Sequence, residues 1–350
     1  MSFTCFKSQD SNLDSASGSG GSTGTFCQQP IFHHRSSRVI CTKDTSRPGY
    51  IPTQAAFWNF HLRSIWLFTF SDLKTIVGPK TVFGVMNALS APTFGIGTAL
   101  EPTWLLRRAV LVALWIWINL LPFAIDNQRQ PEAIAEDSLN KPWRPMPSKR
   151  LTQRQARQIM FTLYPLAGVT SLYTGGFRQS ITLMVLGCWY NDYGGADTSC
   201  IIRNFINACG FVCYSSGAME VALGYTLPWH APLVRWFFII GAVVFSTVQT
   251  QDLYDQAGDK LRGRKTVPLV AGDETARWIT VIPIIVWSIF CPSYWNPHWG
   301  FGVAFTLLGY LIVLRCLTKR SVSDDKKTFR LWNLWMAFMY SLPLLKSTYS

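Results

Sequence analysis

The sequence predicts an all-α, polytopic membrane bundle with about nine transmembrane helices. Three observations carry that expectation. Hydrophobic residues make up 49% of the 350-residue chain and only 15% are charged, against about 25% in an ordinary globular domain. Apolar stretches of membrane-crossing length recur along most of the chain. Lys and Arg outnumber Asp and Glu by 32 to 19, and the excess gathers in alternate loops, the positive-inside pattern of a multi-span protein. The composition argues against a soluble enzyme or a disordered chain. With topology accounting for the charge, no nucleic-acid partner is expected.

Taken in order, residues 1–55 are expected to form a disordered cytosolic tail, because the Ser/Gly run at 15–24 cannot bury a core. No apolar h-region precedes that run, so no cleavable signal is expected. Residues 56–350 are expected to form one transmembrane domain. The stretch 57–70 is rich in Trp and Phe; it either lies in the bilayer interface or extends the first span. Candidate spans follow at 76–99, 104–125, 152–174, 177–189, 203–225, 234–251, 276–290, 299–317 and 331–345, the fourth and seventh being short. Basic residues crowd the loops after the second, sixth and eighth spans, which sets those loops and the N-terminus in the cytosol. The cysteines show neither C-x-x-C pairs nor zinc spacing. They read as reduced and structural.

Two same-sided loops carry the chemistry. In the first, Pro131 suits the first position of a short helix, on which Glu132, Glu136 and Asn140 share a face with Asp137 beside them. Lys141 and Arg144 follow among prolines, and Thr152 with Gln155 has capping-box spacing for the third span. In the second loop, Asp252, Asp255 and Asp259 fall at i, i+3 and i+7, one face of a helix. Lys260, Arg262, Arg264 and Lys265 come next, and Gly258 and Gly263 are expected to loosen the backbone where the helix ends. Four spans separate the loops, so both acidic faces can meet at one cavity mouth. Open carboxylate sets suit Mg2+, which reaches proteins through a few carboxylates plus substrate phosphates. The neighbouring bases suit those phosphates. The expected ligand is a diphosphate with an apolar tail. Asn191, Asp192 and Arg203 form a third polar patch on the same side, which reads equally as a capped helix end with a glycine turn. Glu220, an acid within the fifth span, is a further functional candidate.

At these loops the sequence resembles the UbiA superfamily of intramembrane prenyltransferases, from roughly residue 55 to the end. Asp252, Asp255, Gly258, Asp259, Gly263 and Thr266 match the family pattern D-x-x-D-x-x-G-D-x-x-x-G-x-x-T. Asp137, followed by Asn140, Lys141, Pro142, Arg144 and Pro145, matches the end of the family's first loop. The start of that loop departs from N-D-x-x-D-x-x-x-D. Gln128 follows Asn127, and Ala133 stands where the middle Asp belongs. This form is similar to that of a fungal branch that includes a membrane-bound sesquiterpene cyclase.

The resemblance implies a UbiA-like bundle in the endoplasmic reticulum membrane and Mg2+-assisted loss of diphosphate. It assigns Asp252, Asp255 and Asp259 to one side of the metal, and Asp137 and Glu136, with Asn127, to the other. Lys141, Arg144, Lys260 and Lys265 are expected to stabilise the departing diphosphate, with Asn191 and Arg203 lining the mouth. The expected activity is a class I terpene cyclase of terpenoid secondary metabolism, acting on a prenyl diphosphate, farnesyl diphosphate first. The alternative is prenyl transfer to an aromatic or polyketide acceptor; a third reading is a non-enzymatic membrane scaffold or lipid-binding protein. The expected partners are the prenyl diphosphate and the lipid bilayer, with no obligate protein partner.

Overall fold

The computed structural model of the chain describes residues 54–98 and 100–346. The expected tail lies outside these residues apart from Gln54 and Ala55. The described residues fold into fourteen α-helices. In chain order they are α1 (Gln54–Thr69), α2 (Gly78–Leu89), α3 (Pro102–Arg129), α4 (Pro131–Asn140), α5 (Gln153–Thr174), α6 (Phe177–Asn191) and α7 (Gly195–Thr198). Then come α8 (Cys200–Leu223), α9 (Ala231–Thr247), α10 (Asp252–Arg262), α11 (Val267–Ala271), α12 (Asp273–Trp295), α13 (Trp299–Thr318) and α14 (Val322–Ser341). Among the described residues there is no strand, only an isolated bridge between Pro297 and Lys346.

The nine expected stretches are occupied by α2, α3, α5, α6, α8, α9, α12, α13 and α14. Among the described residues, Pro102–Arg129, Ala231–Thr250, Asp273–Trp295 and Trp299–Thr318 are long and apolar enough to cross a membrane by length and composition.

Local chemistry sets the boundaries. Thr152 accepts the Gln155 backbone N–H while the Gln155 side chain accepts the Thr152 N–H, so the capping box opens α5. Pro131 sits at the start of α4, where its missing N–H costs nothing. Ser199 and Ser321 cap α8 and α14. The first span ends at Leu89, ten residues before the expected boundary. Pro92 follows in a 3-10 turn, and Gly95 then takes φ +71. The seventh span is longer than expected: α12 runs 23 residues and tolerates Pro283 and Pro292 within it. The amphipathic stretch is the separate helix α1, with Trp58, Leu62 and Trp66 exposed and only Ser64, Phe68 and Thr69 buried. That pattern fits a helix lying in an interface.

Aromatic side chains are the largest in the core. Trp115, Trp236, Trp332, Trp335 and Tyr340 are buried. The outward stripes are also apolar: Leu106, Val110 and Leu114 on α3, and Leu307, Leu311 and Leu314 on α13, are exposed. A protein apolar inside and outside matches a lipid solvent. The core also takes in a lysine. Lys80 on α2 donates to Ser215 Oγ at 2.9 Å and to the Tyr340 hydroxyl at 2.8 Å. Its ammonium sits over the rings of Phe211 and Tyr340. At one end of the bundle α4 packs across α10, and that crossing builds the site.

Candidate active site

Gly258 decides how closely α4 and α10 approach. It does not loosen the end of α10, as expected from sequence, but sits buried within the helix. A Cβ there would collide with the Asn140 side chain and stand 3.0 Å from Glu136 Cγ. The helix ends five residues later at Gly263, with φ +79. That turn brings Arg264 back over the helix, where its backbone N–H donates to the Asp259 carbonyl at 3.0 Å.

The crossing brings acids of both loops to one rim, where Asp137, Glu136, Asp252 and Asp259 each meet an arginine, while Glu132 is exposed on the outer side of α4 and makes no ion pair among the described residues. Arg144 Nη1 donates to both Asp137 oxygens, at 2.9 and 3.0 Å. Glu136 accepts from Arg264 at 3.0 Å and from Arg262 at 3.3 Å. Arg203 donates to Asp252 at 2.9 Å and also to the Tyr190 hydroxyl. Arg264 reaches Asp259 Oδ1 at 3.2 Å. Asn127 Oδ1 lies 3.5 Å from both Arg262 and Arg264. Among the described residues Asp255 has no ion pair, and its Oδ1 is buried without a partner, as is Asp259 Oδ2.

These charges enclose a cavity of about 120 Å³. Asn127, Glu136, Asp137, Lys141, Arg144, Arg203 and Asp255 line it. Asp252 and Asp259 stand behind that wall, paired to Arg203 and Arg264. Lys260 and Lys265 are exposed and off the lining; Arg262 and Arg264 line it instead. Asn191 is also off the lining. It donates to Asp126, which Arg129 clasps at 2.7 Å, and so braces the end of α3. Among the lining residues not expected from sequence are Asp72 and Thr75. An acid at the mouth of the first span was their one signal. An outer cavity of about 190 Å³ shares Asp72, Thr75, Lys141, Gln251 and Asp255 with the first, and adds Lys74, Lys326 and Arg330.

Burial and charge compete here. Burial pushes the Asp255 carboxyl up, against the pull of Lys141. It pushes Asp259 up to about 6, against Arg203, with Asp252 adding to the rise. Burial would also raise Glu136, but Arg264 and Arg262 together outweigh it and hold that carboxyl below its usual range. Among the described residues no three acids, His or Cys converge as a ready metal cage. The donor set still fits Mg2+: hard oxygens, two of them buried and unpartnered, beside bases suited to the phosphates that complete its shell.

The model of the UbiA prenyltransferase family matches residues 133–342. The chain is 29% identical to the fumagillin beta-trans-bergamotene synthase of Aspergillus fumigatus, over 79% of this chain and 89% of that protein. It is 28% identical to the somaliensene A/B synthase of Streptomyces somaliensis, over 85% and 97%. Its fold is similar to that of a UbiA homologue from Archaeoglobus fulgidus bound to GPP and Mg2+, with TM-score 0.54, 14% identity, and coverage of 78% of this chain and 99% of that one. With the two acidic loops at one rim of an all-α membrane bundle and the family's model spanning most of it, the chain belongs to the UbiA prenyltransferase family, whose members are integral membrane proteins.

Proposed function

We propose that the chain is a membrane-bound class I terpene cyclase that ionises a prenyl diphosphate, farnesyl diphosphate first, and cyclises the carbocation in terpenoid secondary metabolism. The catalytic body starts at α1, and the rim faces the cytosol of an endoplasmic reticulum membrane, the side favoured by its basic loops. One observation carries the reading: two buried, unpartnered carboxylate oxygens, on Asp255 and Asp259, lie at a rim of clustered arginines. The two similar synthases support the cyclase over other chemistries.

Asp255 and Asp259 would hold Mg2+ from α10, with Asp252 beside them; Asp137 and Glu136 would hold it from α4. When bound, the metal supplies charge that neutralises the leaving diphosphate. Lys141, Arg144, Arg203, Arg262 and Arg264 meet the phosphate oxygens from fixed positions, so little reorganisation accompanies charge build-up. The carbon–oxygen bond breaks with its electron pair leaving on diphosphate, and an allylic cation stays in the bundle. The rings of Phe123, Tyr190 and Phe211 on the cavity wall stabilise it by about 0.5–2 kcal/mol each. The cation closes a ring and loses a proton, which leaves with the diphosphate. The products are one hydrocarbon and one hydrogen diphosphate.

The runner-up is prenyl transfer to an aromatic or polyketide acceptor. The outer cavity favours it, because Lys74, Lys326 and Arg330 beside the rim suit an acidic second substrate. Microsomes holding the protein, given farnesyl diphosphate and Mg2+ alone, separate the two. A volatile hydrocarbon with stoichiometric diphosphate is expected. Turnover only after an aromatic acceptor is added selects the transferase.

A further inference from the structure

Beneath the rim the polar cavity abuts an apolar one of about 80 Å³. The two share Leu120, Phe123, Tyr190, Asn207 and Phe211 as wall. A molecule anchored at the rim by a diphosphate therefore has its tail here; this step rests on the function proposed above. The apolar chamber is a slot between one face of α6, with Leu183, Leu186 and Gly187, and one face of α8, with Ile206, Gly210 and Tyr214.

Gly187 and Gly210 bring no side chain to the slot, yet they are not equivalent. A Cβ on Gly187 would stand 3.1 Å from Phe123 Cδ2, so that position is already filled. A Cβ on Gly210 would meet nothing within 4 Å. The open space beside Gly210 is chamber rather than outer surface. Its helix face is shared with buried Phe211 and Tyr214, whereas Ile201 and Phe205 mark the exposed face of α8.

We propose that the bare α-carbon of Gly210 sets the longest isoprenoid tail this chain accepts, by leaving room for the last isoprene unit between α6 and α8. A side chain there occupies that room without touching the rim. One methylene too many in an apolar pocket costs about 10–200-fold in discrimination, so a four-carbon side chain separates chain lengths sharply. Replacing a mid-helix glycine also favours the helix, so loss of folding does not imitate the effect.

The test compares wild type, Gly210→Ala, Gly210→Leu and, on the exposed face, Phe205→Leu, all as full chain in detergent with Mg2+. Thermal shifts are read with geranyl, farnesyl and geranylgeranyl thiolodiphosphates, and diphosphate release with the matching substrates. Gly210→Leu is expected to lose farnesyl binding and turnover at least about tenfold while keeping the geranyl response, Gly210→Ala to fall between, and Phe205→Leu to match wild type. Equal responses of Gly210→Leu and wild type to all three lengths, or an equal loss at all three, overturn the proposal. If wild type binds the analogues with this length dependence yet turns nothing over, the cyclase reading fails and the role of Gly210 stands. No shift with any analogue overturns both.

Discussion

The two ends of the bundle use the same chemistry for different ends. At the rim, buried acids meet arginines, yet Asp255 Oδ1 and Asp259 Oδ2 are left without partners. At the opposite end Glu220 is equally buried, and both its oxygens are satisfied. It accepts the Gly176 N–H at 3.0 Å, the Leu227 N–H at 3.2 Å, Arg178 at 2.9 Å and Gln179 at 3.3 Å. A buried acid alone therefore does not mark function. Glu220 ties the α5–α6 turn to the end of α8 and is a structural clasp, although an intramembrane acid reads from sequence as a functional candidate. Unpartnered carboxylate oxygens, found among the described residues on Asp255 and Asp259, are what distinguish the rim, since an unpaired buried carboxylate costs stability unless a ligand completes it.

The largest expected effect breaks this contrast at the rim. Asp255→Asn removes a charge that nothing among the described residues pairs, so diphosphate release falls on the order of 10²–10³-fold while thermal stability without metal holds or rises. A parallel fall in both would make Asp255 structural. The converse belongs to Glu220. Glu220→Ala strips the acceptor from two backbone N–H groups and a base, and costs about 3 kcal/mol. The protein that stays folded keeps its Mg2+ dependence. A shifted Mg2+ requirement in folded Glu220→Ala would erase the distinction between the ends.

Much of this was legible in the chain because length and period are local properties. The spans follow from runs of apolar residues, and the acidic face of α10 from Asp252, Asp255 and Asp259 at helical spacing. Phase also explains the bases. Arg262 continues that spacing from Asp259, whereas Lys260 points to the far side and is exposed. Arg264 was illegible as a rim residue, because the left-handed turn at Gly263 redirects it. Asp72 was missed because it lies 65 residues before Asp137, and only packing of α2 against α3 brings it near. Lys80 was hidden in an apolar run, since its partners Ser215 and Tyr340 lie 135 and 260 residues away.

A smaller effect sharpens the rim by pH. Asp259, raised to about 6, and Asp255, raised by burial, hold protons more tightly folded than unfolded. Their neutral forms stabilise the fold, fully below the ordinary carboxylate range near pH 4. That stability is lost as pH rises through about 6. Glu136, held low by Arg264 and Arg262, acts oppositely, but its contribution is lost only as pH falls below the usual carboxylate range. Without metal, the melting temperature is therefore expected to decline from pH 5 to 7.5, and Asp259→Asn to flatten the decline. A flat wild-type profile would mean that these carboxyls find partners in solution.

The smallest expected effect falls within one loop. Lys260 and Lys265 share sequence and charge with Arg262 and Arg264 yet are exposed, where charges are screened and contribute little. The two arginines line the cavity and hold Glu136 between them, with Asp197 bracing both at 3.2 and 3.1 Å. Lys260→Ala combined with Lys265→Ala is expected to change turnover by less than about twofold at moderate salt, with any residual effect vanishing as salt screens it. Arg264→Lys keeps the charge but loses the planar fork that reaches Glu136, Asp259 and Asp197 at once, so its fall in turnover persists at high salt. Equal losses in the lysine pair and in Arg264→Lys would show that total charge, rather than the fixed geometry of the rim, governs the site.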